Sequence, residues 1–560
     1  MIRYTSSNQL SIEQFKTPFQ LSLDVNNRWV ILAGKIPWDK LASIYHKTLS
    51  SDQGAPAIDA RIVIGAFVVK HKMKLDDRET IECIRENMYV QYFLGLSNYT
   101  SQDVFDRSLF TTLRYRLGAD KFDQMSASLI ATAFGLPDDQ SENEESIDGS
   151  RDKNKSADTP CSVEEVVSEE QQPAQAEIEI EKKETDCIIA TPKGKGKLKL
   201  DATIADQMIK YPTDLDLLND SRQQSERIID ALCKKLEVKK KPRTYRRKAR
   251  QNYLCLAKKK KKSTKEIRKV IGKQLNYVSR NLKSIHALLD KFESISFPLS
   301  HRDQQIFFVI QHIYAQQRQM HKEQTHQCDD RIVNIYQPYV RPMVRGKAKA
   351  PVEFGAKLGV SEFNGYARIN TLSWNAYHEG GDLKKQVEEY RKLYGYYPAV
   401  VIADKIYGTR ENRTWLSKLG IRYSGKPLGR PSKQSQTPYQ KSRARKENGE
   451  RNHVEGKFGQ AKNGYNLNKI RARRARTSES WIACIFFVMN LIKFNKDFFV
   501  SCWNSNIKCL IEAIAINRWL TVSVAYLSNI FHIKKTRLVF LKSEKISLFS
   551  VFWTFSPSPK

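Results

Sequence analysis

The chain has 560 residues, with 94 Lys and Arg against 61 Asp and Glu, a formal charge of +33 and 40% hydrophobic residues. At roughly 100–200 residues per domain, this length implies two or three domains, and the apolar content excludes a wholly disordered chain. The charge points to a polyanionic partner, nucleic acid before an anionic membrane. Nine cysteines are scattered with no C-x-x-C pair, which argues against a zinc ribbon and suits reduced thiols in a cytosol. The N-terminus shows no signal-peptide stretch, and no run approaches the ~20 apolar residues that span a bilayer. The expectation is a cytoplasmic protein with no membrane role.

Residues 1–135 read as a helical N-terminal domain. Apolar residues recur at helical spacing over 59–70, 78–94, 104–117 and 121–134. Ser101 and Asp103 are candidate caps for the third segment, and Gly118 and Gly135 candidate stops. Such a set of short helices suits either a helix-turn-helix DNA reader or a plain bundle for dimer contact. Residues 136–196 then change character. Between Pro137 and Asp186 there are 17 acidic residues against 5 basic ones, without apolar periodicity, the pattern of an acidic disordered linker.

From Lys197 the sequence KLKLDATIA alternates, placing Leu198, Leu200, Ala202 and Ile204 on one face and Lys199, Asp201 and Thr203 on the other. A basic tract at 234–269 follows, with 18 Lys and Arg against two Glu and with Tyr245 and Tyr253 interleaved. It is too dense for an ordinary solvated face, and Arg243, Arg246, Arg247, Lys248 and Arg250 are candidate phosphate contacts. Residues 270–325 read as helical, so a basic helical insertion spans about 220–325. Strand-like alternation returns in RIVNIYQPYVRPMVRG, APVEFGAKLGVS and YARINTLSW. A helix over 382–394, the strand AVVIADKIYG, a helix over 410–419 and the strand IRYSG complete the rhythm of an α/β core with a mixed sheet. Residues 450–463 and 481–494 read as further helices, and the tail from 496 to 560 has no pattern that suggests a role.

Within this core three acidic positions stand out. Asp404 directly follows four apolar residues, Val400–Ala403, at the ligand-facing edge of an α/β sheet, although Asp also starts simple turns. Arg451, Glu455 and Lys462 fall within a ~40° wedge of one helix face at 100° per residue, which by itself is equally a solvated ion pair. Two Asp and one Glu make an oxygen-rich, hard-ligand set suited to Mg²⁺ or Mn²⁺. Two such ions can activate a water or 3′-hydroxyl and stabilise the leaving oxygen of an in-line phosphodiester transesterification. Arg451 and Lys462 would then grip flanking phosphates. Walker A, G-x-G-x-x-G and G-x-S-x-G motifs are absent from the sequence.

LDATIA around Asp201, IADKIYG around Asp404 and RNHVEGKFGQAK around Glu455 resemble the three catalytic blocks of DDE transposases, in particular the fifth insertion-sequence family of bacteria. The stretches from Pro56 to Ile130, YPTDLDLLN and RGKAKAPVEFGAKLGVS are similar to that family as well. The resemblance implies an RNase-H-like catalytic domain at 197–495. It also implies Asp201, Asp404 and Glu455 as catalytic ligands of two Mg²⁺ or Mn²⁺ ions. Arg451 and Lys462 fit the family's R-x3-E-x6-K pattern, and Tyr407 fits its A-D-K-x-Y form. The implied activity is cleavage and strand transfer of an insertion sequence at its terminal inverted repeats, by a homo-oligomer acting on double-stranded DNA at the nucleoid. Two other readings stay open here: a non-catalytic DNA-binding relic or regulator, and a standalone repair nuclease. The family often carries a Tyr three residues before the Arg, where this chain has Asn448.

Overall fold

The computed structural model describes residues 22–49, 57–136, 194–292, 297–344, 352–426, 428–429 and 437–498. The expected acidic linker, apart from its ends, and the tail beyond 498 lie outside the described residues. Residues up to Phe494 form one compact unit and those from Asn495 a second.

The N-terminal part is helical: α1 (Arg28–Lys35), α2 (Trp38–His46), α3 (Ala60–Met73), α4 (Asp77–Glu86), α5 (Met88–Phe93) and α6 (Leu109–Phe134). The segment expected as one helix over 78–94 divides at Asn87, whose side chain accepts from the N–H groups of Tyr89 and Val90 and so starts a new helix. A reciprocal capping box opens α4, with Asp76 accepting from the Glu79 N–H at 2.8 Å and Glu79 from the Asp76 N–H at 2.7 Å. Ser101 and Asp103 do not cap α6. It begins later, after Ser108, where Asp106 accepts from the Ser108 N–H at 2.8 Å. Gly118 breaks α6 internally with φ 61° and ψ −169°, a left-handed conformation that favours glycine, and Gly135 ends it at φ 61°.

These helices share one apolar core with the sheet and with the last helix, α14 (Ala475–Phe498). Phe67 meets Phe110 and Phe122 edge-on at 5.4 Å, and Phe122 lies 5.9 Å from Phe487 of α14. Arg368 of the sheet pairs with Asp123 of α6 at 2.7 Å. Contrary to the expectation of no such run, α14 is long and apolar enough to cross a membrane. Of its most apolar window, 89% is buried inside the protein, which is what a core helix shows.

The sheet has six strands among the described residues: β1 (Lys197–Asp206), β2 (Pro342–Val344), β3 (Val352–Phe363), β4 (Tyr366–Ser373), β5 (Val400–Ala403) and β6 (Arg422–Tyr423). The order is β2-β3-β1-β5-β6, with β4 also on β3. β1 is antiparallel to β3 and parallel to β5, and β5 is parallel to β6, so the sheet is mixed. α11 (Asp382–Tyr394) and α12 (Arg410–Lys418) fall where the sequence placed them. RIVNIYQPYV does not form a strand. Pro338 cannot donate to a ladder, Asn334 folds the chain by accepting from the N–H groups of Tyr336 and Gln337, and Ile332 and Ile335 turn into a neighbouring core.

That neighbouring core belongs to the segment between β1 and β2. α7 (Asp214–Lys235), α8 (Arg246–Ala257), α9 (Thr264–Leu289) and α10 (His301–Glu323) form a helical unit. Ile228, Ile229, Val278, Ile285, Ile310 and Ile313 pack there, separately from the main core. Asn281 of α9 donates to Ser225 of α7 at 2.9 Å, and Arg246 ties α8 to Asp230 of α7 at 2.7 Å.

One buried polar group bears on stability. Asp77 pairs with both Lys70 (2.7 Å) and Arg114 (2.6 Å), whose side chains are 0% and 5% exposed. Lys70 and Arg114 also lie 4.5 and 5.0 Å from the Trp481 ring of α14. Burial alone would raise the Asp77 pKa, but the Arg114 hydrogen bond and the Lys70 charge hold it below the usual carboxylate value. Asp77→Asn should therefore cost about 3–5 kcal/mol in urea unfolding at pH 7, because it leaves two buried cations without a counter-charge. A depressed folded pKa contributes stability above the unfolded value and loses it as pH falls through the folded one. The gap between wild type and Asp77→Asn should accordingly shrink below about pH 4. A pH-independent gap would mean the loss is packing alone.

Candidate catalytic site

The long helix α13 (Pro438–Gly459) lies along β1. Lys197 meets Glu450 at 2.7 Å, and the Lys199 ammonium lies 3.5 Å from His453. Further along, Lys462 lies 3.6 Å from Asp206. α13 starts twelve residues before the expected boundary at 450. Thr437 and Gln440 form a capping box and Pro438 occupies the first turn. This is start chemistry that an apolar periodicity search passes over. The face of β1 expected to be polar is therefore covered. Lys199 and Thr203 are buried, with Lys199 paired at 2.7 Å to its cross-strand partner Glu362.

The parallel register of β1 and β5 sets Leu200 opposite Ala403. The next residue on each chain is Asp201 and Asp404, so the two aspartates emerge side by side. Asp201 accepts from the Ala202 N–H at 2.8 Å. Asp404 caps the short turn Lys405–Tyr407, accepting from the Lys405 N–H at 2.7 Å, so it is a turn cap as well as a strand-end acid. The Tyr423 hydroxyl donates to the Asp404 carbonyl at 2.7 Å, and Asn412 donates to the carbonyls of Gly380 and Tyr407. Tyr407 itself is fully buried beneath this loop.

Arg451 joins the elements. Its guanidinium lies 3.2 Å from Asp404 and 3.3 Å from Glu455, so one cation holds the second aspartate to the helix glutamate. Burial pushes the Asp201 carboxyl up to about 6. The Ala202 N–H and Arg451 oppose this, and the charges of Glu379 and Glu455 add to it. All three carboxylates thus lie in one electrostatic neighbourhood. Lys462 faces the same strand. A seven-residue step carries it about 10 Å beyond Glu455, where Asp206 and Glu353 (3.8 Å) take its charge. The expected wedge therefore brings only Arg451 and Glu455 to the aspartates. Among the basic-tract candidates, Arg243, Arg247, Lys248 and Arg250 are exposed, and Arg246 is exposed but tied to Asp230.

One acidic neighbour went unread in the sequence. Glu379 sits in a short turn after β4, paired with Lys357 of β3 at 3.0 Å. Neither spacing nor periodicity marks it, because its closeness to Asp201 arises only when β3, β1 and the loop after β5 come together. The donor set of Asp201, Asp404 and Glu455 is all carboxylate oxygen, which fits a hard divalent cation. Among the described residues no three His, Cys, Asp or Glu side chains are drawn close enough to enclose a metal ion.

Asp201 within β1, Asp404 just after the adjacent β5 and Glu455 on α13 are carboxylates of the kind that metal-dependent phosphodiester chemistry uses. The family model for the transposase DDE domain matches residues 401–492, covering Asp404 and Glu455, and a transposase domain of the N-terminal kind (DUF772) matches residues 19–116. The chain thus carries a match to a transposase domain in each of these two segments. A protein of Rhizobium meliloti described as uncharacterized protein ORF8 in the nfe locus is 30% identical over 108 residues, 19% of this chain and 50% of that protein. The chain thus spans about half the length of the curated relative it matches. No solved structure matches it.

The raised Asp201 pKa gives a test that needs no activity. A carboxyl whose folded pKa, about 6, exceeds its ordinary 3.8 stabilises the fold only while protonated. That contribution is lost as pH rises through 6. In EDTA, Asp201→Asn should therefore unfold at higher urea than wild type at pH 8, with the difference vanishing toward pH 4. A variant less stable at pH 8 would show that the carboxylate is satisfied where it stands.

Proposed function

We propose that this protein is a DNA transposase that cleaves at the terminal inverted repeats of an insertion sequence and joins the freed ends to a target. The observation that carries the reading is the side-by-side emergence of Asp201 and Asp404 from adjacent parallel strands, with Arg451 linking Asp404 to Glu455. The same arrangement supports an RNase-H-like form for the catalytic domain, carrying the helical unit α7–α10 as an insertion between β1 and β2. The proposed domains are 1–135, 197–495 and an acidic linker between them, with the segment after 495 unassigned. The proposed setting is the cytoplasm, at the nucleoid, as a homo-oligomer.

Asp201, Asp404 and Glu455 would hold Mg²⁺ or Mn²⁺, two ions in the expected stoichiometry. Bound there, the ions supply activation of a water or 3′-hydroxyl and charge neutralisation at the scissile phosphate. The remaining roles fall to the chain. The turn after Asp404, closed by Tyr423 and Asn412, fixes the carboxylate's direction. Burial of Asp201 restricts water around it. Arg451, with one Nη on Asp404 and the other on Glu455, holds these two carboxylates in step. The exposed cations Arg243, Arg247, Lys248 and Arg250, with Arg246 at their edge, contribute sequence-independent affinity for the duplex.

Incubation with Mg²⁺ and a labelled duplex from the boundary of its own gene tests this reading. Wild type should cut at the element end, EDTA should stop it, and Asp404→Asn should lose at least a hundredfold in rate while binding with unchanged affinity. Cutting by Asp404→Asn would remove the residue from the site. Binding without cutting by wild type would favour the regulator reading.

A further inference from the structure

Among the described residues, the first half of α13 packs against no element in the way the second half does. Every residue from Thr437 to Lys446 is exposed, Tyr439 to 70%. The first buried position is Glu447, gripped by both Nη atoms of Arg422 from β6. Only beyond it does the helix run along β1 and deliver Arg451 and Glu455. The exposed part is thus a rod that projects from the sheet and is continuous with the helix carrying a proposed catalytic glutamate.

A helix that is polar on all sides is not held by burial. It needs many opposite-charge pairs at i,i+4, or else it serves an external contact. Here the residues TPYQKSRARK hold Lys441, Arg443, Arg445 and Lys446 and no Asp or Glu. Arg443 reaches Glu447 at 3.6 Å. Its capping box and first-turn proline keep the rod helical despite the like charges. So local sequence maintains a helix that tertiary packing does not require, and arms it with one sign of charge.

We infer that this projecting half of α13 is a phosphate-binding arm, seated on the backbone of the same duplex whose phosphodiester lies at the three carboxylates. The inference rests on the transposase reading. Lys441 lies fourteen residues before Glu455, about 21 Å along the helix axis. At ~3.4 Å of duplex axis per phosphate of one strand, an arm lying along the duplex spans about six nucleotides beyond the reacting bond. Lys and Arg at such positions fix the register of DNA on the protein and carry no base code. The arm therefore positions the strand for cleavage, and neither the basic tract of α8 nor Lys462, which Asp206 and Glu353 engage, lies on it.

The test compares wild type with a Lys441→Ala, Arg445→Ala, Lys446→Ala triple variant, leaving Arg443 with Glu447 intact. The probe is a fluorescent duplex carrying the gene-boundary end, titrated over a range of NaCl concentrations. Alanine keeps the helix, which circular dichroism verifies. The variant should lose about 2.7 from the slope of log K against log salt, at ~0.9 per phosphate contact removed. A charge-conserving Lys441→Arg, Arg445→Lys, Lys446→Arg variant should keep the slope. Equal slopes for wild type and the alanine variant overturn the arm alone. A wild type without salt-dependent binding overturns the transposase reading and the arm together.

Discussion

The site depends on the alignment of α13 with β1. The two elements are more than two hundred residues apart in the chain, and polar pairs fix them in step: Glu450 on Lys197, His453 at Lys199, Lys462 by Asp206. Because a helix advances 1.5 Å per residue and a strand about 3.3 Å, such pairs hold only for one relative placement. That placement brings Arg451 and Glu455 to the level of Asp201. The parallel register of β1 and β5 independently delivers Asp404 to the same level. Two separate geometric constraints, helix on strand and strand on strand, thus meet at one point.

The charge arrangement at that point is unbalanced. Burial raises the cost of ionising Asp201, the Ala202 N–H and Arg451 offset part of it, and the charges of Glu379 and Glu455 add to it. Elsewhere the protein neutralises its buried charges closely. Lys199 has Glu362, Arg222 has Glu226 and Asp77 serves both Lys70 and Arg114. Asp201, by contrast, is partly buried with only part of its charge cost offset. Arg451 spans Asp404 and Glu455 there as an internal cation.

Much of this was legible from local pattern. Asp201 is set by alternation in KLKLDATIA, Asp404 by the apolar run before it, and α11 and α12 by their place in the strand–helix–strand rhythm. What was not legible depends on where a side chain's partner comes from. The apolar residues of RIVNIYQPYV mimic a strand but serve the core of the inserted helices. Segment 78–94 is periodic throughout, yet one Asn at 87 has the cap chemistry to divide it. Glu379 carries no local mark at all, since Lys357 and Asp201 reach it only through the assembled sheet. Alternation marked Lys199, Asp201 and Thr203 as the polar face of β1, and a helix without an apolar stripe of its own covers it.

That helix explains why pattern fails there. α13 is anchored by ion pairs and by three buried residues, Glu447, Val454 and Phe458, so it has no apolar stripe to detect. An element fixed by specific charges at a few points and free elsewhere can project from the core without disturbing it. Hydrophobic anchoring would have required a stripe along the whole length and would have drawn the cationic half down onto the sheet. Fixing the helix at Glu447 and along β1 leaves its basic half outside, in line with the carboxylates. The same economy of apolar contacts hides the element in the sequence and gives the site a charged extension toward its substrate.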